Sequence, residues 1–103
     1  MEKIGISDLE NKMHLSHFVM LDFCSPGCVP CKAASAEVEE LAAESSSAGH
    51  SIQAFEVNIA EEPEVAREYR VFGVPTVVIF REGREIARFT STIKKEKLRK
   101  FLE

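Results

Sequence analysis

Residues 18–32 read FVMLDFCSPGCVPCK, an apolar run followed by a turn sequence and two closely spaced cysteines. The run Phe18–Phe23 is apolar except for one aspartate, and its length suits a buried strand. The Ser-Pro-Gly sequence at 25–27 is typical of a turn. From Cys31 onward, apolar side chains recur with the spacing of a helix face. Cys28 and Cys31 are therefore predicted to lie where a strand passes through a turn into a helix.

The segments on both sides of this stretch alternate between strand-like and helix-like patterns, in the order β-α-β-α-β-α-β-β-α. Helices between strands imply parallel pairing with right-handed crossovers, and Glu82-Gly83 predicts a tight turn into an antiparallel last strand. These features indicate an α/β fold, with a mixed sheet and helices on both faces. The predicted strands are Lys3–Ile6, Phe18–Phe23, Ile52–Ile59, Thr76–Arg81 and Arg84–Phe89. The predicted helices begin at an N-cap formed by Ser7 or Asp8, at Cys31, at Glu62-Pro63, and near Lys94 with an end at Leu102.

Length and charge narrow the function classes. The chain has 103 residues, which predicts a single domain spanning 1–103. A net charge of −4 argues against nucleic-acid or anionic-membrane binding through bulk charge, because phosphate contacts need clustered cations. No apolar segment approaches the roughly 20 residues that span a bilayer. Met1–Asp8 lacks a basic stretch followed by an apolar core, so no signal peptide is expected and the predicted compartment is the cytoplasm.

All three cysteines fall within eight residues of one another, an odd and clustered set that is a poor disulfide framework for a secreted protein. In an intracellular chain such a cluster indicates redox or metal chemistry. One metal hypothesis is a zinc site built from three thiolates and a histidine. The histidines lack a tight spacing to the cysteines, which argues against this site, and no metal is predicted. The residues concerned are Cys24, Cys28 and Cys31 with His14, His17 or His50.

The sequence Cys28-Val29-Pro30-Cys31 at a helix start has a chemical consequence. The thiolate is the attacking species in thiol–disulfide exchange, and the unpaired N–H groups and partial positive charge of a helix N-terminus stabilise it. Cys28 would lie at the outer edge of that terminus and Cys31 one turn inside. We therefore expect Cys28 to be the nucleophile and Cys31 the resolving thiol, with Pro30 shaping the first turn.

Three motifs, Leu21-Asp22-Phe23, Cys28-Val29-Pro30-Cys31-Lys32 and Val74-Pro75-Thr76, together resemble the thioredoxin family. The resemblance covers nearly the whole chain, including the Phe101-Leu102 ending. It implies a thioredoxin-like fold with a central mixed five-stranded sheet flanked by four helices. It also implies a monomeric protein-disulfide reductase that acts on disulfide-containing substrate proteins. Such an enzyme needs no bound cofactor, because its two sulfurs store the electrons, and a flavoprotein thioredoxin reductase regenerates it.

The resemblance also implies which residues contact substrate. Pro75 would be cis and face the cysteines, whereas an ordinary proline opening a strand would be trans. The backbone of Val74 would pair with the substrate chain. Val29 and Pro30 belong to the same recognition surface around the sulfur pair. These four residues are the predicted substrate-binding set.

The role of Asp22 follows from the same resemblance. Its carboxyl interrupts an apolar run, and a buried carboxyl stays protonated to higher pH than an exposed one. The family pattern makes Asp22 the acceptor of the Cys31 proton, through water. The alternative is an aspartate exposed at a sheet edge. Glu56, near the inner end of a central strand, is a second charged residue expected close to Asp22.

The surface around the cysteines departs from the family pattern. Thioredoxins usually carry tryptophan at the positions of Cys24 and Gly27 and glycine at those of Val29 and Ser91, and this chain has no tryptophan. We therefore expect a reshaped surface with a narrower set of partners. Cys24 is either a small, partly buried apolar side chain or a third redox thiol. A rival function is a binding module of the same fold whose cysteines are regulatory rather than catalytic.

Overall fold

The computed structural model describes residues 1–14, 16–45 and 51–102, and within these ranges five strands and four helices follow the predicted order. The strands are β1 Glu2–Lys3, β2 Phe18–Cys24, β3 Ile52–Asn58, β4 Thr76–Arg81 and β5 Arg84–Thr90. The helices are α1 Ile6–Met13, α2 Val29–Ser45, α3 Pro63–Glu68 and α4 Lys95–Arg99. None of these described helices is long and apolar enough to cross a membrane.

The strands form one mixed sheet in the order β1-β3-β2-β4-β5. β1, β3 and β2 run parallel, since helices connect them, while β4 and β5 are antiparallel and extend the sheet on the other side of β2. Glu82-Gly83 makes the turn between β4 and β5, as predicted. The α/β class with a five-stranded mixed sheet is thus confirmed, and β2, which leads to the cysteines, is its central strand.

Alternation along β2 divides its side chains between two cores, because successive side chains of a strand point to opposite faces. Val19, Leu21 and Phe23 pack in one core with residues of α1 and α3. Phe18 and Met20 pack in the other with residues of α2 and α4. Continuing the alternation places residue 22 on the face covered by α2, the helix that begins at the cysteine pair.

The first strand and helix begin earlier than predicted. β1 covers Glu2–Lys3 rather than Lys3–Ile6. Ile6 instead begins α1, and its N-cap is Gly5 rather than either residue predicted for that position. The reason lies in a distant part of the chain, because the carboxylate of Glu62 accepts the backbone N–H of Ile6 at 3.2 Å. An N–H group at the helix start is satisfied by this contact without a local capping side chain.

Two other helix boundaries also differ from the prediction. α2 begins at Val29, before the predicted start at Cys31, since proline fits the first turn of a helix. α4 ends at Arg99 rather than Leu102. Leu102 is nevertheless buried in the core beneath α2 and α4, so the chain end stays packed beyond its last helix.

Candidate active site

A tight turn carries the chain from β2 into α2. The backbone N–H of Cys28 donates to the carbonyl of Ser25 at 3.4 Å and closes a four-residue turn. Gly27, the third residue of this turn, has a φ of +77°, where other residues would be strained. The backbone therefore favours glycine at position 27 over any larger residue.

Cys28 and Cys31 are joined by a disulfide, with their Cα atoms 5.2 Å apart. Because α2 begins at Val29, Cys28 lies just before the helix and Cys31 lies in its first turn. The backbone N–H of Cys31 donates to Sγ of Cys28 at 3.2 Å, the contact that an N-cap side chain makes with the third helical residue. Cys28 is partly exposed, whereas Cys31 is only 3% exposed. One sulfur can therefore meet a partner molecule while the other is shielded.

Asp22 is fully buried in the central strand, so the alternative of an exposed aspartate at a sheet edge is wrong. Its Oδ2 accepts a hydrogen bond from Ser35 Oγ of α2 at 2.5 Å. Its Oδ1 has no hydrogen-bond partner among the described residues. Burial raises the pKa of Asp22 to about 6, the Ser35 hydrogen bond opposes this rise, and the charges of Glu56 and Glu39 add to it. The carboxyl therefore titrates near neutral pH, which suits a proton acceptor.

A cleft of about 510 Å³ opens beside the disulfide, and we call it the carboxylate cleft. Glu56 lies on its wall and is the direct neighbour of Asp22 across β3 and β2. Lys3, also on the wall, is the neighbour of Glu56 across β1 and β3. The charged residue expected near Asp22 is thus adjacent to it in the sheet. The residues that line the cleft include Lys3, Cys24, Cys28, Cys31, Lys32, Ser35, Glu39 and Glu56.

Cys24 lines the carboxylate cleft but takes no part in the disulfide. Burial raises the pKa of the Cys24 thiol to about 12, and the carboxylates of Glu56 and Asp22 add to the rise. A thiol that stays protonated at neutral pH is a poor nucleophile, which favours an inert Cys24. Within the ranges that the structure describes, no three His, Cys, Asp or Glu side chains are grouped to hold a metal ion, and His50 lies outside those ranges.

A second groove, of about 550 Å³, lies on the other side of α2, and we call it the proline groove. The peptide bond between Val74 and Pro75, on its wall, is cis, as the resemblance implies. Pro30 and Ser91 line the same groove. The fold thus brings together three of the four predicted substrate-binding residues, while the fourth, Val29, is 74% exposed at the start of α2.

Phe72 is a surface feature that sequence reasoning missed. Its side chain is 95% exposed, directly before the Gly73-Val74-Pro75 segment. A phenylalanine is expected in a core by default, and only a structure shows that it lies outside. Its position next to a motif that carries the resemblance was the one available signal.

The family model described as Thioredoxin matches residues 6–103 of this chain. The chain is 32% identical to the thioredoxin of Chlamydia caviae over 98 residues, which are 95% of this chain and 92% of that protein. Among solved structures, a mutant thioredoxin from Halobacterium salinarum NRC-1 has a TM-score of 0.85 and 25% identity, covering 100% of this chain and 87% of that one. The thioredoxin of Fasciola hepatica has a TM-score of 0.83 and 28% identity, covering 99% and 96%. The predicted thioredoxin-like fold is confirmed.

The buried charge of Asp22 should reduce stability at neutral pH. Folding raises the pKa of Asp22 from 3.8 to about 6, so the native state binds more protons than the unfolded chain between these values. The stabilising contribution of the protonated group is complete below pH ~4 and is lost as the pH rises through ~6. We expect Asp22→Asn to increase the free energy of unfolding by on the order of 2–3 kcal/mol at pH 8, and by little at pH 4. Urea denaturation of the oxidised protein measures both values.

Asp8→Asn is the matched control for this experiment. Asp8 is exposed in the first turn of α1, where a negative charge favours the helix. Its replacement should therefore not stabilise the protein at either pH. Equal stabilities of wild type and Asp22→Asn at pH 8 would contradict a buried charge at position 22.

The charge of Glu56 should act on Asp22 through their pairing in the sheet. Because the Glu56 carboxylate disfavours a second negative charge beside it, Glu56→Gln should lower the pKa of Asp22 below its value of about 6. Carbon-13 NMR titration of the Asp22 carboxyl measures the change. Glu64→Gln, at an exposed position of α3, should leave that titration unaltered. An unchanged Asp22 pKa in Glu56→Gln would remove Glu56 from the site.

Proposed function

Because this chain belongs to the thioredoxin family of thiol–disulfide oxidoreductases, we propose that it reduces disulfides in substrate proteins. Cys28 attacks the substrate disulfide, Cys31 then attacks the mixed disulfide that results, and Asp22 accepts the Cys31 proton. The observation that carries the proposal is the disulfide at the start of α2, on the face that covers a buried carboxyl with a pKa of about 6. Thioredoxins act through such a redox-active disulfide without a bound cofactor.

The exposures of the two sulfurs support this division of labour. Cys28 is partly exposed and precedes the helix, so its thiolate can reach a substrate and be stabilised by the helix N-terminus. Cys31 is almost fully buried, so it can react only with a sulfur already bonded to Cys28. The N–H of Cys31 points at Sγ of Cys28 and can stabilise negative charge on that atom.

The proposed reaction moves two electrons from the dithiol to the substrate. The Cys28 thiolate bonds to one sulfur of the substrate disulfide, and the other substrate sulfur leaves as a thiolate. Cys31 then transfers its thiol proton to Asp22, through water, and its thiolate attacks Sγ of Cys28. The mixed disulfide breaks, the second substrate sulfur leaves as a thiolate, and the Cys28–Cys31 disulfide forms.

Substrate recognition is assigned to the side of α2 opposite the carboxylate cleft. Pro30, Val74 and Pro75 line one groove there, and Pro30 lies between the two cysteines in the chain. Two strongly exposed apolar residues adjoin these in the chain: Val29 precedes Pro30, and Phe72 lines a neighbouring pocket together with Val74 and Pro75. Covering an exposed aromatic ring with a partner is favourable, because it removes apolar surface from water. These side chains favour substrates with apolar residues close to their disulfide.

The remaining assignments extend the proposal to the whole chain. We propose that residues 1–103 form one domain, since both cores share the same sheet. The proposed working form is a monomer in the cytoplasm, where thiols are kept reduced. A flavoprotein thioredoxin reductase would return the disulfide to the dithiol, as the family implies. The net charge of −4 does not favour nucleic acid or anionic lipid as a partner.

The cysteine roles predict three distinct phenotypes in an insulin-reduction assay with dithiothreitol. Cys28→Ser should reduce the rate to the uncatalysed background, because no nucleophile is left. Cys31→Ser should accumulate a mixed disulfide through Cys28, visible by mass spectrometry under non-reducing conditions. Cys24→Ser should behave as wild type, and mapping of the oxidised protein should show a Cys28–Cys31 link alone. A wild-type protein without insulin reduction would instead favour the binding module.

The proton-acceptor role predicts a rate effect for Asp22→Asn. Without the carboxylate, Cys31 is deprotonated more slowly, so we expect insulin reduction at pH 7 to fall at least about tenfold. The fold should be retained, because the amide has the shape of the carboxyl. Rates measured from pH 6 to 9 check the expectation. A rate profile identical to that of the wild type over this range would remove Asp22 from the mechanism.

A further inference from the structure

Ser35 is the polar side chain that joins Asp22 to the carboxylate cleft. It lies one helical turn after Cys31, on the same face of α2. Its hydroxyl donates to Oδ2 of Asp22, and the residue itself lines the cleft beside Cys31. Asp22 is fully buried behind it. Among the described residues, this is the hydrogen bond that the Asp22 carboxyl makes.

The charges around Asp22 disfavour its carboxylate form, which the hydrogen bond from Ser35 stabilises. Glu56 on β3 and Glu39 on α2 both disfavour a charged Asp22, and burial acts in the same direction. The cations of the surrounding elements face other groups first. Lys3 on β1 is opposite Glu56 in the sheet, and the amino group of Met1 forms an ion pair with Glu39 at 3.1 Å. Ser35 is the group that opposes the rise in the Asp22 pKa.

The other elements packed around Asp22 bring no compensating charge. On β4, its direct neighbour is the apolar Val77. On β2 itself, the nearest titratable side chain is the thiol of Cys24, a neutral group at pH 7 because its pKa is raised to about 12. On α2, Lys32 lines the cleft near its mouth and is exposed. Stabilisation of the Asp22 carboxylate therefore falls to a neutral donor.

We propose that Ser35 is a positioning residue for the resolving step. Its hydroxyl donates to Oδ2 and so stabilises the Asp22 carboxylate, which leaves Oδ1 to receive the proton of Cys31. In this step the S–H bond of Cys31 breaks, an O–H bond forms at Oδ1, and the freed thiolate attacks Sγ of Cys28. In this proposal Ser35 acts through Asp22, to which its hydroxyl is bonded, and takes no direct part in the reaction of the sulfurs. The inference rests on the proposed function, because it presupposes that Asp22 accepts this proton.

The test compares Ser35→Ala with Ser35→Thr and Ser35→Val. Alanine and valine remove the hydroxyl, and threonine keeps it in the shape of valine, so the Thr/Val pair controls for packing. Loss of a hydrogen bond to a charged group should raise the Asp22 pKa by about one pH unit or more. The pH midpoint of insulin reduction should rise equally, with a fall of about threefold at pH 6.5 and little change at pH 9. Threonine should restore both values.

Ser7→Ala is the matched control, since Ser7 is an exposed serine in α1 far from the cleft. Its Asp22 titration and pH profile should equal those of the wild type. Carbon-13 NMR of the Asp22 carboxyl gives the pKa independently of activity. An Asp22 pKa in Ser35→Ala, or in Ser35→Val if the first variant does not fold, equal to that of the wild type would overturn the proposal. Failure of the proton-acceptor role is a separate result, seen as an unchanged rate in Asp22→Asn.

Discussion

The carboxyl group of Asp22 is buried because β2, the strand that carries it, is the central strand of the sheet. With two strands on each side, β2 has no edge at which a charged side chain could reach water. The alternation that sends Phe18 and Met20 into the core beneath α2 sends Asp22 to the same face. The side chain then meets α2 in its first turns, where Cys31 and Ser35 lie. Strand alternation, the turn at residues 25–28 and the packing of α2 on β2 together place the carboxyl beneath the helix that carries the cysteine pair.

A buried carboxylate works against stability, and its neighbours make the opposition larger. A basic residue facing Asp22 would stabilise its charge and lower its pKa. In this chain burial raises the pKa of Asp22 to about 6, and the glutamate at the adjacent position on β3 adds to the rise instead of opposing it. A carboxyl with a pKa close to the working pH can both accept and release a proton, which a permanently ionised one does poorly. The buried carboxyl therefore lowers the stability of the fold at neutral pH, while its pKa suits the proposed reversible proton transfer.

The parts of this architecture that local sequence determines could be predicted. An apolar run, a Ser-Pro-Gly turn and a cysteine pair within residues 18–32 suffice to predict a strand, a turn and a following helix, although the helix begins at Val29 and not at Cys31. A single aspartate within that run likewise indicates a buried acid, because so apolar a strand is expected to be buried. Contacts between distant segments could not be predicted. The carboxylate of Glu62 accepts the backbone N–H of Ile6 at the start of α1, and Ser35 donates to Asp22 only when α2 packs on β2. The exposure of Phe72 could not be predicted either, because its position beside the Val74-Pro75 motif does not by itself distinguish it from a core phenylalanine.

In the proposed mechanism, the two sides of α2 have different roles. The carboxylate cleft is lined by residues of α2, β1 and β3 that include Lys3, Glu39 and Glu56, whereas the proline groove is lined mainly by uncharged residues of α2 and of the segments 74–75 and 91–94. Val29 and Phe72 project into solvent, whereas Asp22 is fully buried, so these two side chains are separate from the acid. A departure from the family pattern at Val29 is therefore compatible with the proposed thiol chemistry, whereas the departures at Cys24 and Gly27 lie on the wall of the carboxylate cleft itself.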